Sequence, residues 1–182
     1  MKYKQISISL GFEGSLNYKI KNSWKILKKE FNIEYISKNS CKPHINLHAG
    51  SIKKTNIREI AIRLKKFKLR KFKIKSPGSA IFFSDKPNLF IRWETNLFIK
   101  KYREIIRNDL KKFFIKENIY TNNNLWIPRS AIAYKDISYS KLENISKRLK
   151  FLFQKHTVEV NYILLIDYSK GKEIIINKIK LI

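Results

Sequence analysis

The chain has 182 residues, and its 40 Lys and Arg side chains outnumber 14 Asp and Glu, which gives a formal net charge of +26. The hydrophobic share of 43% excludes an intrinsically disordered protein, because disordered chains carry too little apolar surface to offset the entropy lost on ordering. Four prolines and five glycines exclude collagen-like and low-complexity proteins and indicate one domain or two closely packed lobes.

The first half of the chain alternates strand and helix patterns. Strands are indicated by alternating polar and apolar side chains, and helices by apolar side chains every three to four residues. The predicted strands lie at residues 3–10, 44–48, 71–75, 79–84 and 88–93, the last two forming a hairpin. The predicted helices lie at residues 16–31, from about Thr55 onward, and at about 95–115.

The second half of the chain repeats this order. The predicted strands lie at residues 128–134, 157–167 and 173–181. A helix is predicted to begin near Ser140, with Glu143 completing a capping box. In each half a strand begins at a proline, Pro43 or Pro128, and a predicted helix cap, Thr55 or Ser140, follows at the same distance. This repeat predicts an α+β fold of two lobes related by a pseudo-twofold axis.

The positive charge predicts a polyanionic partner, RNA or DNA, because neutralising phosphates releases bound counterions. An AT-rich coding sequence would also raise the Lys content, although it would raise Glu as well, and Glu is scarce. In the densest basic segment Lys71, Lys73 and Lys75 share one strand face, opposite Phe72 and Ile74. That face either follows a phosphate backbone or discourages edge-to-edge strand pairing.

The sequence also indicates where the protein is found. Its longest apolar run, residues 163–166, is far below the ~18 residues of a membrane span, and the first residues lack the apolar segment of a secretory signal. The single Cys41 cannot form an internal disulfide and is expected to be a small, partly buried side chain. We expect a cytoplasmic or other reducing location, no secretion and no membrane partner.

Two segments carry a family resemblance. The first is Pro43-His44-Ile45-Asn46-Leu47, and the second lies within Leu-Trp-Ile-Pro-Arg-Ser-Ala-Ile-Ala-Tyr-Lys-Asp at residues 125–136. Together they resemble the Pro-His-x-Thr/Ser-Leu motifs of the two-histidine phosphoesterase superfamily, the 2′-5′ RNA ligase-like proteins. The resemblance implies a single bilobal domain over residues 1–182, with the second motif strand at 126–134. Each lobe would be an antiparallel sheet with helices on its outer face, and a cleft would separate the lobes.

The resemblance also implies a mechanism, in which one histidine removes a proton, the other supplies one, and a 2′,3′-cyclic phosphate opens to a monoester. Here His44 matches the first histidine, but Arg129 stands at the second position and cannot exchange a proton. Asn46 and Ala131 replace the hydroxyl residues; Asn46 can still donate to phosphate. His48, on the same strand face as His44, is ~13 Å away, so no metal site and no cofactor are expected.

These departures leave two hypotheses. In the first, the chain is an RNA-binding protein with lost or strongly reduced phosphodiesterase activity, alone or in a ribonucleoprotein assembly. In the second, it is an active phosphoesterase on 2′,3′-cyclic phosphate or 2′-5′ linked RNA ends, with His44 as its only acid-base histidine. The candidate phosphate- and RNA-binding residues are Asn46, Arg129, Lys71, Lys73, Lys75, Trp126 and Tyr134. Trp126, Tyr134 and Trp93 either stack on a base or pack at the rim of the core, and His156 is expected to be structural.

Overall fold

A computed structural model describes residues 2–122 and 125–182 and confirms the predicted alternation of strands and helices. The strands are Tyr3–Phe12 (β1), His44–Lys53 (β2), Phe72–Ser76 (β3), Gly78–Phe82 (β4), Asn88–Arg92 (β5), Phe114–Glu117 (β6), Arg129–Ala133 (β7), His156–Asp167 (β8) and Ile174–Lys180 (β9). The α-helices are Ser15–Phe31 (α1), Tyr35–Asn39 (α2), Ile57–Lys66 (α3), Leu97–Leu110 (α4) and Leu142–Arg148 (α5).

The strands form two antiparallel sheets. The large sheet has the order β3-β8-β1-β2-β6, and β9 also pairs with β8. The small sheet has the order β4-β5-β7 and contains the predicted hairpin as β4 and β5. Helices α1 and α2 contact β7, and α4 contacts β2. The predicted α+β fold of two antiparallel sheets with helices is therefore confirmed.

One hydrophobic cluster includes residues of both sheets. Ile8 and Leu47 of the large sheet and Ile132 of the small sheet are at most 1% exposed. Phe12 at the end of β1 meets Trp93 just after β5, edge to face, with ring centroids 5.3 Å apart. Because both lobes contribute to one apolar core, their separation would expose large aromatic surfaces to water.

The predicted capping box on α5 is wrong. The helix starts at Leu142 after a 3₁₀ turn over Tyr139–Lys141, and no side chain caps it. The Glu143 carboxylate instead accepts a hydrogen bond from Lys147 Nζ, one helical turn along. Thr55 likewise lies in the 3₁₀ turn Lys54–Asn56 before α3 and does not cap that helix. A 3₁₀ turn thus leads into both helices.

Two short elements, α2 and β6, were not predicted from the sequence. Helix α2 has five residues, which is too few for apolar periodicity to be recognised. Strand β6 has four residues and directly follows the 3₁₀ extension of α4, and its first two residues overlap the end of the helix predicted at about 95–115. It forms because its backbone pairs with β2, as in the register of Gly50 with Glu117. None of the described helices has the length and apolar character needed to cross a bilayer.

The strand pattern predicted that His48 lies on the same face as His44 and Asn46. In the structure His48 is instead buried, whereas the other two are partly exposed. The register of β1 against β2 shifts between Asn46 and His48, so the simple alternation of faces is broken there. His48 is 0% exposed, and its ring lies 4.1 Å from that of Phe114. Within residues 2–122 and 125–182 neither ring nitrogen has a hydrogen-bond partner. Burial therefore lowers the pKa of His48 to about 4.

This buried histidine makes stability depend on pH. Between pH 6.5 and 4 the unfolded chain binds a proton at His48 that the folded chain does not, so stability falls as the pH falls. We expect the free energy of unfolding to drop by about 2–3 kcal/mol from pH 7 to 4.5 through this group. Urea titrations of wild type and His48→Leu at both pH values isolate its share, since the carboxylates titrate in both proteins. Equal losses in the two proteins would contradict the assignment.

Candidate functional site

The two motif strands meet where the large and small sheets join. The hydroxyl of Ser130 in β7 donates to the backbone carbonyl of His44 in β2 at 2.9 Å. The indole Nε1 of Trp126 donates to the backbone carbonyl of Asn46 at 2.8 Å. Ser130 also accepts from the buried Nε1 of Trp93 at 3.0 Å. These bonds use the inward side of β7 and leave its other side facing a cleft.

A cleft of about 90 Å³ lies beside this junction. It is lined by Trp24, Ile36, Ser40, Lys42, Pro43, His44, Asn46, Arg129, Ala131 and Glu173. The structure thus brings together three of the residues singled out in the sequence, His44, Asn46 and Arg129. They come from two strands that are separated by more than eighty positions in the chain, as the Ser130 to His44 bond shows.

His44 is held in one orientation by the backbone. Its Nδ1 lies 2.8 Å from the carbonyl oxygen of Lys42, so Nδ1 carries a hydrogen and donates it. The other nitrogen, Nε2, lies 3.8 Å from the carboxylate Oε1 of Glu173. The His44 side chain is 9% exposed, so the cleft presents one ring nitrogen in a fixed direction.

Glu173 is a cleft residue that sequence reasoning missed. It precedes β9, and its Oε2 accepts from the hydroxyl of Ser40 at 2.7 Å and from the amide of Cys41 at 3.0 Å. Its own amide donates to the carbonyl of Asn39 at 2.8 Å. Ser40 and Glu173 are 133 positions apart. No local motif signals such a contact; it follows from the place of β9 beside β8.

Asn46 and Ala131 stand at the positions where the resemblance would place hydroxyl residues. The amide oxygen Oδ1 of Asn46 accepts from the hydroxyl of Ser9 at 2.6 Å. This bond leaves the amide nitrogen Nδ2, with two hydrogens, as the group that can donate into the cleft. Ala131 lines the cleft without a polar side-chain atom. The β2 side of the cleft therefore has the amide donor predicted for Asn46, and Ala131 on the β7 side provides no matching donor.

Arg129 is a partly buried cation surrounded by aromatic rings. Its guanidinium lies 4.9 Å from the ring centre of Phe82, 5.5 Å from Tyr120 and 5.7 Å from Phe90. Burial lowers the pKa of Arg129, but an arginine stays charged at neutral pH. Among the residues that the structure describes, no carboxylate pairs with it, and its buried Nη1 has no hydrogen-bond partner. The ring faces supply the attraction that a counterion would otherwise give.

The predicted aromatic residues take different positions. Trp93 is 1% exposed, so the hypothesis that it stacks on a base is wrong. Trp126 packs at the edge of the junction, where the Arg103 guanidinium lies 4.4 Å from its ring. Tyr134 meets Tyr35 edge to face at 5.9 Å. Trp126 and Tyr134 are half-buried, and the cleft does not include them.

The basic strand lies apart from the cleft. Lys71, Lys73 and Lys75 are exposed beside β3, at the edge of the large sheet, with β8 and β1 between β3 and β2. None of the three lysines lines the cleft that Arg129 and His44 line. They form a separate basic edge, which a longer polyanion could reach.

Two further polar residues have structural surroundings. Burial, reinforced by the nearby Glu173 carboxylate, raises the pKa of Cys41 to about 12, so its sulfur is a protonated thiol at neutral pH and not a nucleophile. His156 Nε2 lies 2.7 Å from the carbonyl oxygen of Phe151, outside the cleft. This contact agrees with the structural role expected for His156.

No protein-family model matches the chain, and no curated protein matches its sequence. Solved structures do match. Escherichia coli LigT in apo form aligns over 100% of this chain and 99% of its own, with a TM-score of 0.60 and 8% identity. TT0787 of Thermus thermophilus aligns over 97% of both chains, with a TM-score of 0.62 and 10% identity. Usb1 of Kluyveromyces marxianus aligns over 96% and 97%, at a TM-score of 0.50 and 7% identity.

The likeness extends over the whole chain and is a likeness of fold. It confirms the fold that the resemblance to two-histidine phosphoesterases predicted. LigT has also been crystallised in complexes with 3′-AMP and with ATP. A LigT-like fold is thus established for this chain, and strands β2 and β7 lie together at the cleft.

The strand junction can be tested through Ser130. In Ser130→Ala the carbonyl of His44 and the indole hydrogen of Trp93 both lose their partner inside the protein, so we expect a loss of about 1–3 kcal/mol in the free energy of unfolding. Ser146→Ala is the matched control, because its hydroxyl also donates to a backbone carbonyl but is exposed. Urea unfolding measures both. A loss in Ser130→Ala no larger than in Ser146→Ala would contradict the junction's importance.

Proposed function

We propose that the chain binds RNA, or a nucleotide derived from RNA, by placing a phosphate group in the cleft, and that its phosphodiesterase activity is lost or strongly reduced. The observation that carries this proposal is Arg129, which lies in the cleft where the family motif has its second histidine. A guanidinium binds phosphate through two parallel hydrogen bonds but does not exchange protons near neutral pH. The site therefore favours binding over proton transfer.

The donors needed for a phosphate are placed on both strands. Arg129 provides a buried Nη1 that lacks a partner within the described part of the chain, and a buried donor without an acceptor costs about 1–3 kcal/mol. Asn46 faces the cleft with Nδ2, since its oxygen is engaged by Ser9. An anionic oxygen between β2 and β7 would satisfy both groups. Lys42 adds positive charge at the same cleft.

The size of the cleft favours the end of a nucleotide chain. About 90 Å³ holds a phosphate group but not a nucleoside as well, so the rest of the ligand would lie outside the cleft. Half-buried Trp126 and Tyr134 lie just before and just after β7, the strand of Arg129, where a sugar or base could contact them. The complexes of LigT with 3′-AMP and ATP support a nucleotide ligand for this fold.

The net charge favours a polymeric ligand. A mononucleotide needs few cations, whereas the chain carries 40 Lys and Arg. The basic edge of Lys71, Lys73 and Lys75 would add salt-dependent contacts to phosphates distant from the cleft. We propose a single bilobal domain over residues 1–182 that works in a reducing compartment, alone or within a ribonucleoprotein assembly.

The proposed loss of phosphodiesterase activity follows because the reaction needs two proton carriers and the cleft provides one. Opening a cyclic phosphate requires a base on the attacking oxygen and an acid on the leaving oxygen, at opposite sides of phosphorus. Glu173 is not a replacement for the second histidine. Its Oε1 is 3.8 Å from His44 Nε2, which leaves no room for a phosphate between the two groups. His44 is left as one proton carrier without a partner on the other side.

A second candidate function is slow phosphodiesterase activity with His44 as the only acid-base histidine. The observation in its favour is the orientation of His44, whose Nδ1 donates to Lys42 while Nε2 faces the cleft. Arg129 would then stabilise negative charge on the phosphate. Losing one of two acid-base partners lowers the rate by about 10²–10⁴-fold.

Binding of an oligoribonucleotide that ends in a 2′,3′-cyclic phosphate tests the proposal. We expect Arg129→Gln to weaken binding about 10- to 100-fold, because a charge-assisted hydrogen bond contributes about 1.5–3 kcal/mol. Arg92→Gln is the matched control, since Arg92 pairs with Arg129 across β5 and β7, is exposed and does not line the cleft. Fluorescence anisotropy at two salt concentrations provides the measurement. Equal weakening in both variants would contradict phosphate binding in the cleft.

The same oligonucleotide separates the two functions. We expect the wild-type chain to bind it without measurable turnover, and His44→Ala to leave binding within a few-fold of wild type. Turnover that is present in wild type and absent in His44→Ala would instead support the one-histidine phosphodiesterase.

A further inference from the structure

Three different metal-ligand types converge at one end of the cleft. The Sγ of Cys41, one ring nitrogen of His44 and a carboxylate oxygen of Glu173 all lie within 4.8 Å of one another. The first two residues flank Pro43 at the start of β2, and Glu173 reaches them from the segment before β9. From the sequence, the only metal pair for His44 was His48, which is buried outside the cleft. The sequence around Glu173 gives no sign that it is a metal ligand.

We propose that Cys41, His44 and Glu173 bind a divalent zinc ion at the rim of the cleft, with the fourth coordination position open toward Asn46 and Arg129. Zinc is the ion that this donor set favours, because sulfur, imidazole nitrogen and carboxylate oxygen are its three usual protein ligands. Magnesium and calcium prefer oxygen ligands alone. Three protein ligands with one open position are typical of zinc sites that meet a substrate or an anion.

The hydrogen bonds around the three side chains prepare them for an ion. His44 donates from Nδ1 to the Lys42 carbonyl, which fixes the ring and leaves Nε2 as the ligand. Glu173 accepts from Ser40 and Cys41 on Oε2, which leaves Oε1 directed toward His44 Nε2. In known zinc sites, hydrogen bonds of this kind hold the ligand side chains in the orientation that binds the ion.

The spacing requires only a small contraction. With bonds of about 2.0–2.3 Å, ligand atoms around a tetrahedral zinc ion are about 3.5 Å apart. Nε2 of His44 and Oε1 of Glu173 are already 3.8 Å apart, and all three ligand atoms lie within 4.8 Å. A shift of at most about 1.3 Å at the Cys41 side chain, which is only partly buried, would complete the site.

Two negatively charged ligands offset the charge of the ion in this strongly positive chain. On binding, zinc replaces the proton of the Cys41 thiol, and that proton is released to solvent. The ion's two positive charges are then balanced by one thiolate and one carboxylate. The complex is therefore neutral, whereas the free site carries the single negative charge of the Glu173 carboxylate, so binding adds one positive charge beside Lys42 and Arg129.

A bound ion would change the role of His44. Nε2 cannot accept a proton while it donates its electron pair to zinc, so the zinc form has no free acid-base histidine in the cleft. Its open position would instead accept an anionic oxygen, next to Arg129. Zinc binding itself does not depend on RNA binding, so either inference can fail without the other.

Cobalt substitution in the tag-free chain tests the site, with zinc content measured in parallel. The chain has one cysteine, so a thiolate-to-cobalt charge-transfer band can arise only from Cys41. We expect one ion per chain and this band in wild type. Cys41→Ser should lose the band, and both Cys41→Ser and Glu173→Gln should weaken zinc binding at least 10-fold, of the size seen when metal sites lose a contact.

His156→Ala and Glu143→Gln are the matched controls, because they remove the same ligand types outside the cleft. Both should bind zinc as wild type does. A measurement that needs no variant is thermal unfolding of wild type, because an ion that binds the folded chain raises the midpoint of unfolding. Less than half an ion per chain, a missing cobalt band, or equal midpoints with and without zinc would each overturn the proposal.

Discussion

The hydrogen bonds between β7 and the start of β2 are the interaction on which the site depends. Ser130 and Trp126 each donate from a side chain to the β2 backbone, so the two sheets are fixed to each other where the motif strands begin. Side-chain bonds of this kind let the sheets diverge while the strand starts stay together. The cleft exists because β2 and β7 are held side by side without forming a continuous sheet, and because Phe12 and Trp93 pack behind the junction.

The chemistry of the cleft is asymmetric, although the two strands that form it correspond. The β2 side carries His44, Asn46 and a nearby carboxylate, while the β7 side carries a guanidinium and a methyl group. A symmetric acid-base pair would need proton carriers on both sides, and Arg129 holds its charge among three aromatic rings. This asymmetry is the basis for the proposal that the site holds an anion and does not cleave one. Across the cleft from Arg129, the carboxylate of Glu173 lies beside His44, and these two ligand types together favour a cation.

The sequence predicted the fold well where local pattern and global pairing agree. Strands β1, β7, β8 and β9 and helix α1 alternate or repeat clearly, and the paired motifs located the cleft residues His44, Asn46 and Arg129. Short elements such as β6 could not be predicted, because pairing with β2, and not local preference, makes them extended. His48 was misplaced by a register shift, and Glu173 was missed because only the sheet order brings it to Ser40 and His44. The position of the basic edge, on β3 at the end of the large sheet opposite β6, likewise follows from topology.

The proposed function requires that the cleft keeps the geometry of a two-histidine site but lacks the second proton carrier. The most direct test is to restore that carrier with Arg129→His combined with Ala131→Thr, and to measure hydrolysis of an oligoribonucleotide ending in a 2′,3′-cyclic phosphate in the presence of a metal chelator. We expect a gain over wild type of about 10²-fold or more, abolished by adding His44→Ala. A correctly folded double variant with no gain in turnover would contradict the correspondence of β2 and β7.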